Sequence, residues 1–330
     1  MNLWKTALAG AVALICVQQP AQAELKNITI GTNPSGSAYF LIGSGFAKLF
    51  QETLGIRSTA QPFAGSSVYI PSIVVGDLTL GLVSTVDSGL AYSGGGDFPQ
   101  EHKSLRALAN VWNIPYAYVA RADSGIVTAD DFRGKRIMGN NPTSQALTVI
   151  NEAIVKSGGL EIGDVDFMTY GGLMDGLNAV LEGRADAAPV ATSLPALTEA
   201  QASVSGGLRV VGNGSTGSQE FFADQVAGLS ESLAKTNDNR PYIIGDTKVV
   251  SFNAQLLTDA ALAEDDAYTI TKTLYENWES LQSDIGQLRS IPLDQLPLAT
   301  SPVPYHPGAV RFYKEIGIWT DAHEANQARF

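Results

Sequence analysis

The chain is poor in reactive and cross-linking side chains. Its 330 residues include one cysteine, Cys16, and three histidines. One thiol cannot close a disulfide within the chain, and His102, His306 and His323, scattered and with no cysteine to join them, make no zinc-type ligand set. Charged residues are only 16% of the total, with 21 cations against 33 acids and a net charge of −12. A surface of that sign is a poor partner for nucleic acid. A Gly-x-Ser-x-Gly elbow, a Walker-type phosphate loop and a His-Glu-x-x-His helix are all absent, and no spacing pairs the acids. The expectation is therefore no catalytic residue, no metal, no cofactor and no enzyme. After the first 23 residues no apolar run approaches the roughly 20 that a membrane helix needs, so the protein is not expected to be embedded in a membrane.

Those first residues have their own pattern. Lys5 precedes an apolar run from Ala7 to Val17, and the small-residue pattern Ala21-Gln22-Ala23 follows, which together read as a secretory signal cleaved after Ala23. Ile15 before Cys16 is too bulky for a lipoprotein site. Cleavage takes 23 of the 330 residues and leaves 307, enough for two domains, and removes the only thiol. A protein exported to an oxidising compartment without disulfides must be stabilised by its core.

The stretch Gly31-Thr32-Asn33-Pro34-Ser35-Gly36-Ser37-Ala38-Tyr39 follows a β-type run, Lys26 to Ile30, and precedes apolar residues at helical spacing (Phe40, Leu41, Phe46, Ala47, Leu49, Phe50). A helix's first turn offers free N–H groups at the positive end of its dipole, which suits an anion. Small, uncharged side chains let a ligand approach and give nothing to transform it. A similar loop, Gly139-Asn140-Asn141-Pro142-Thr143-Ser144, stands 108 residues later. Gly31, Asn33 and Pro34 match Gly139, Asn141 and Pro142; likewise Gly65 and Gly76 recur as Gly172 and Gly183, each pair spanning a helical segment. The order of parts repeats, and two α/β lobes with opposed helix starts across a cleft are expected.

Between the loops, Arg57 to Pro62 reads as a strand and Val68 to Val75 as a helix, for which Ser66 or Ser67 could serve as cap or as ligand contact. Leu78 to Val83 is a continuous apolar strand of the buried parallel kind. Ligands gather at the carboxyl ends of such strands, which makes Thr85 and Asp87 candidates; Asp87 either caps the following turn or accepts a ligand ammonium. Leu105 to Val119 reads as two strands, crossing into the second lobe near Asn113 to Tyr116, with Trp112, Tyr116 and Tyr118 as core or hinge packing. In the second lobe Asp164 to Tyr170, Asp186 to Val190 and Leu208 to Val211 read as strands, Thr192 and Ser193 as candidates at a strand end, and Met174 to Leu181 as a helix closed by Gly183. Val249 to Phe252 carries the chain back, a helix runs from Leu262 to Leu281, and another from Gly308 to Ile316. The three-glycine run Gly212 to Gly217 lacks the following βαβ unit and acid of a dinucleotide site, and nucleotide binding is set aside. His306 reads as structural.

With these residues in view, the chain resembles the TAXI-type solute-binding proteins, the extracytoplasmic receptors of TRAP transporters. The resemblance lies in the order of segments: Gly31 to Gly43, Gly65-Ser66-Ser67, Gly76 to Asp87, Leu105 to Val119, Phe132-Arg133-Gly134-Lys135-Arg136, Gly183-Arg184-Ala185-Asp186-Ala187 and His306-Pro307-Gly308-Ala309. It departs from the family pattern at Phe40, where a tyrosine is usual, at Gln145 in place of a small residue, and at Thr79 in place of an acid. The resemblance implies an α/β two-lobed periplasmic binding protein of type II-like fold with the ligand cleft between lobes, made of residues 24-113 plus 250-330 and 114-249. It implies a monomer that binds a small organic anion, such as a glutamate-like amino acid, a dicarboxylate or a keto acid, and delivers it to TRAP membrane subunits. The expected contacts are Asn33, Ser35, Gly36, Ser37, Tyr39, Ser66, Ser67, Thr85, Asp87, Asn141, Thr143, Ser144, Gln145 and Thr192. A receptor for an ATP-driven importer or a sensor is the alternative, and a periplasmic enzyme the more distant one.

Overall fold

The structure, a computed structural model, describes residues 25–96, 98–142 and 144–330; the expected signal segment and Thr143 lie outside the described residues. In chain order the elements are β1 (Asn27–Thr32), α1 (Ala38–Leu54), β2 (Arg57–Pro62), α2 (Ser66–Val74), β3 (Leu80–Ser84), α3 (Thr85–Ser93) and β4 (Leu105–Arg121). Next come β5 (Arg136–Asn140), α4 (Gln145–Ser157), β6 (Asp166–Thr169), α5 (Leu173–Leu181), β7 (Ala187–Ala191), α6 (Ala196–Ser203), β8 (Leu208–Val211), α7 (Gln219–Gln225), β9 (Leu229–Ala234) and β10 (Thr247–Asp259). The chain closes with α8 (Glu264–Glu276), α9 (Trp278–Asp284), α10 (Pro307–Glu315) and α11 (Asp321–Gln327).

The strands form one sheet in the order β2-β1-β3-β10-β4-β7-β5-β6, with β8 on β4 and β9 on β10. Its two ends repeat each other. β1 lies parallel between β2 and β3, and β5 lies parallel between β6 and β7. Within each end, α2 or α5 begins at a glycine, Gly65 or Gly172, in extended conformation with no side-chain cap. Each helix is followed by a left-handed glycine, Gly76 (φ 82°) or Gly183 (φ 73°), a backbone region that residues with a Cβ enter at a cost. The spacing repeat of the sequence thus appears as repeated topology.

β4 and β10 join the ends. They pair antiparallel over most of their length; β10 also pairs with β3 through residues 254–257 and with β9 through 247–252, while β4 pairs with β7 and β8 beyond Tyr116. Leu105 to Val119 is therefore one strand, not the two read from the sequence. Pro115 does not break it, because its carbonyl accepts from Thr192 N–H and its register partner is Ser251. The expected helix from Leu262 to Leu281 is likewise two, α8 and α9. Asn277 (φ −112°, ψ 10°) leaves helical geometry there, and the Trp278 indole N–H donates to Ile291 O at 2.8 Å, so α9 turns to bury that ring.

Burial of apolar surface is the main stabilising term. One cluster, including Ile30, Phe46, Leu82, Leu256 and Trp278, extends through both ends of the sheet, and a second, around Val119, Leu177 and Val190, fills the β7 side. The three-glycine run is a packing device: a Cβ on Gly214 would overlap the backbone of Gly158, and Gly214 N–H donates to Ser157 Oγ at 2.9 Å. No described helix is long and apolar enough to cross a membrane.

His306 is structural, as its setting in the sequence suggested. It caps α10, Nδ1 accepting from Gly308 N–H at 3.2 Å, and Nε2 lies 3.0 Å from Leu262 O. Both contacts are made by the neutral ring protonated on Nε2, and burial holds its pKa below the ordinary 6.5. The folded state therefore binds fewer protons than the unfolded chain just below pH 6.5, so stability is intact above that value and falls as pH drops towards the folded pKa. Urea denaturation at pH 7.5 and 5.5 should show this loss, and His306→Gln should flatten it; an unchanged slope in the variant would assign the pH dependence elsewhere.

Candidate ligand-binding cleft

A cavity of about 1340 Å³ opens where the two ends of the sheet face each other across β4 and β10. Ser37 is the N-cap of α1, its Oγ accepting from Phe40 N–H at 3.1 Å, and Ser144 is the N-cap of α4, its Oγ accepting from Leu147 N–H at 3.3 Å. Both line the cavity. Each oxygen is used by its own helix, while each hydroxyl hydrogen can still be donated. Gly65 and Gly172 line it as well, so the uncapped first turns of α2 and α5 also open towards it. Two opposed sets of helix starts converge, as the repeated loops led us to expect.

Nine of the expected residues line the cavity: Asn33, Gly36, Ser37, Tyr39, Ser66, Ser67, Asp87, Asn141 and Ser144. Tyr39 is buried, and burial, followed by the nearby Tyr69 and Asp87, pushes its phenol pKa well up, so it is a neutral hydroxyl. Asn33 Oδ1 is buried without a protein hydrogen-bond partner. Asn141 is anchored from below: its backbone N–H donates to Thr148 Oγ1 at 2.8 Å, and its side chain bonds the Tyr170 hydroxyl.

Four others are placed elsewhere. Thr85 is fully buried; its Oγ1 donates to Gly228 O at 2.8 Å and accepts from Asn253 N–H at 3.1 Å, tying α3 to the loop before β9 and to β10. Thr192 is buried with its backbone bonded to Pro115 O and the Tyr242 hydroxyl, although its neighbour Ser193 does line the cavity. Ser35 is exposed outside the lining, and Gln145 packs its stem near Gly96. Neither Ser66 nor Ser67 caps α2, since the N-cap is Gly65.

Asp87 is not the cap of α3 either; Ser84 is. Ser84 Oγ accepts from Asp87 N–H at 2.9 Å and donates to Asp87 Oδ2 at 2.6 Å, and Ser66 Oγ donates to the same oxygen at 3.2 Å. A carboxylate of the protein thus already sits at the starts of α2 and α3, where the dipoles favour it. The Ser66 hydroxyl is committed to it.

Sequence reasoning missed much of the lining. Trp112 and Tyr116, read as core or hinge packing, do pack with the core, and they also reach the cavity wall, with Phe252 and Leu194. Arg240 and Arg289 are there too, although neither loop contains an arginine. Arg289 holds the end of α9, donating to Gln282 O at 2.8 Å and Ser283 O at 3.2 Å. Among the described residues no group of three or more His, Cys, Asp or Glu side chains is placed to hold a metal.

A model of the NMT1-like family matches residues 30–317. Among solved structures, the chain is similar to a periplasmic transporter at a TM-score of 0.54 and 14% identity, over 93% of this chain and 97% of that one. It is similar to a TctC solute binding protein from Polaromonas at 0.51 and 16%, over 93% and 98%. A Xanthomonas citri protein bound to ATP matches at 0.52 and 10%, over 92% and 98%. Likeness at these identities carries the fold, an α/β periplasmic-binding-protein architecture.

Proposed function

We propose, from the premise that this chain belongs to the NMT1-like family, that it is a periplasmic solute receptor whose lobes close on a small organic carboxylate. The observation that carries this reading is the convergence of the α1, α2, α4 and α5 starts on one cleft. The lobes we assign are residues 24-113 plus 250-330 and 114-249, divided where β4 and β10 pass from one end of the sheet to the other. The carboxylate is held by first-turn N–H groups of α4 and α5, the Ser144 and Ser37 hydroxyls and Tyr39. Export by the N-terminal segment and delivery to TRAP membrane subunits complete the proposal, the latter on the resemblance described above. The site has donors and a neutral phenol but no acid and base set against one another, which favours carriage over turnover.

Thermal shift with a carboxylate panel tests it. A ligand at 100 times its dissociation constant should stabilise the protein by roughly 2.7 kcal/mol. No response to any carboxylate alongside a response to sugars or cations would defeat the proposal. For the partner, uptake reconstituted with TRAP membrane subunits should require this protein; uptake only with an ATP-driven permease would reassign it.

A further inference from the structure

A carboxylate group needs only the polar side of the cleft, and the opposite side has a different character. Trp112, Ile114 and Tyr116 stand at alternate positions of β4 and therefore share one face of the strand. All three line the cavity. Phe252 on β10 is the register partner of Ile114, on the same face. The rings form two edge-on pairs: Trp112 with Tyr39 at 6.0 Å between centroids, and Tyr116 with Phe252 at 5.8 Å. Trp112 is partly exposed there, as is Leu194 on the other wall. This side of the cleft is thus mainly apolar, with Trp112 presented to it and Ile114, Tyr116 and Phe252 recessed behind.

A second charged group laid on that side would lose its hydration without gaining a partner there. An apolar body would instead cover surface that water now touches. Building on the carboxylate reading above, we infer that the ligand carries one carboxylate and a bulky apolar body, an aromatic ring or branched aliphatic chain, which rests on this side, with Trp112 setting the preference. Arg240 and Arg289 at the cleft lining are the cations that a second carboxylate would require, and they define the competing outcome.

The test is titration of the mature protein with 3-phenylpropionate and 4-methylpentanoate against glutarate and adipate, none of which carries an ammonium. The two apolar-bodied acids should bind at least tenfold more tightly, and 3-phenylpropionate should change the tryptophan fluorescence of the native protein but not of Trp112→Phe. Trp112→Ala should weaken the apolar-bodied acids at least tenfold and glutarate less than twofold; Leu194→Ser, on the opposite wall, gives the same comparison should the Trp112→Ala protein not fold. Tighter binding of glutarate or adipate would overturn the inference and leave the carboxylate reading standing, and its loss in Arg240→Gln or Arg289→Gln would name the cation responsible. No binding by any of the four acids would overturn both.

Discussion

Asp87→Asn is expected to separate amino acids from their keto-acid counterparts. The Asp87 carboxylate borders the cleft and is held in place by Ser84 and Ser66, and Asn33 Oδ1 is a buried acceptor lining the same cleft. This end of the site therefore favours a donor on the ligand, whereas the α4 and α5 starts favour an acceptor. If a ligand ammonium meets Asp87, a charge-assisted hydrogen bond of about 2–3 kcal/mol is lost in the variant, which is roughly a 30- to 150-fold weakening. Phenylalanine against phenylpyruvate, measured by calorimetry, makes a suitable pair. The keto acid should change by less than about threefold, since only the donor is missing. Equal weakening of the two would assign Asp87 to holding Ser84 and Ser66 alone.

The largest loss of stability is expected from Asn151→Ala. Asn151 is fully buried beneath the β5–α4 loop; its Oδ1 accepts from the Tyr116 hydroxyl at 3.1 Å, and its Nδ2 donates to Gly139 O at 2.8 Å and to the Tyr170 hydroxyl at 3.1 Å. Truncation leaves three buried polar groups short of a partner, each at about 1–3 kcal/mol, for a total of about 3–5 kcal/mol after partial relaxation. The melting temperature should fall by roughly 8 °C or more. Tyr116 lines the cleft and Asn141 bonds Tyr170, so carboxylate affinity should fall as well. A urea midpoint shift worth less than about 1 kcal/mol would show that the surrounding groups find other partners.

The repeat was visible in the sequence because its demands are local. A glycine with positive φ after α2 or α5, and an Asn-Pro turn after β1 or β5, depend on the chain near them, and these positions recur at fixed spacing. Strands such as Arg57–Pro62 and Leu208–Val211 were delimited to the residue. The pieces that escaped are those fixed by distant partners. β9 exists because β10 supplies its ladder, and α7 and α11 are too short to show a period of their own. At the site, Thr85 looked like a strand-end ligand residue, but Gly228 and Asn253, over 140 positions away, consume its hydroxyl. Trp112 looked like core because it lies in an apolar run. Only the crossing of β4 with β10 turns its ring into the cleft wall, just as only folding brings Arg240 and Arg289 to a site whose loops hold no arginine.

β4 and β10 remain hydrogen-bonded to each other from Leu105 and Asp259 up to Tyr116 and Val250, and there they part, β4 continuing on β7 and β8 and β10 on β9. Under the proposed division into lobes that fork is the joint, with two strands held as a pair on one side and by different neighbours on the other. Closure of the proposed lobes on a solute would bend the strands at that fork, and release would let them straighten. Trp112 and Phe252 lie close to where the paired stretch ends, so a guest resting on them would sit against the joint itself.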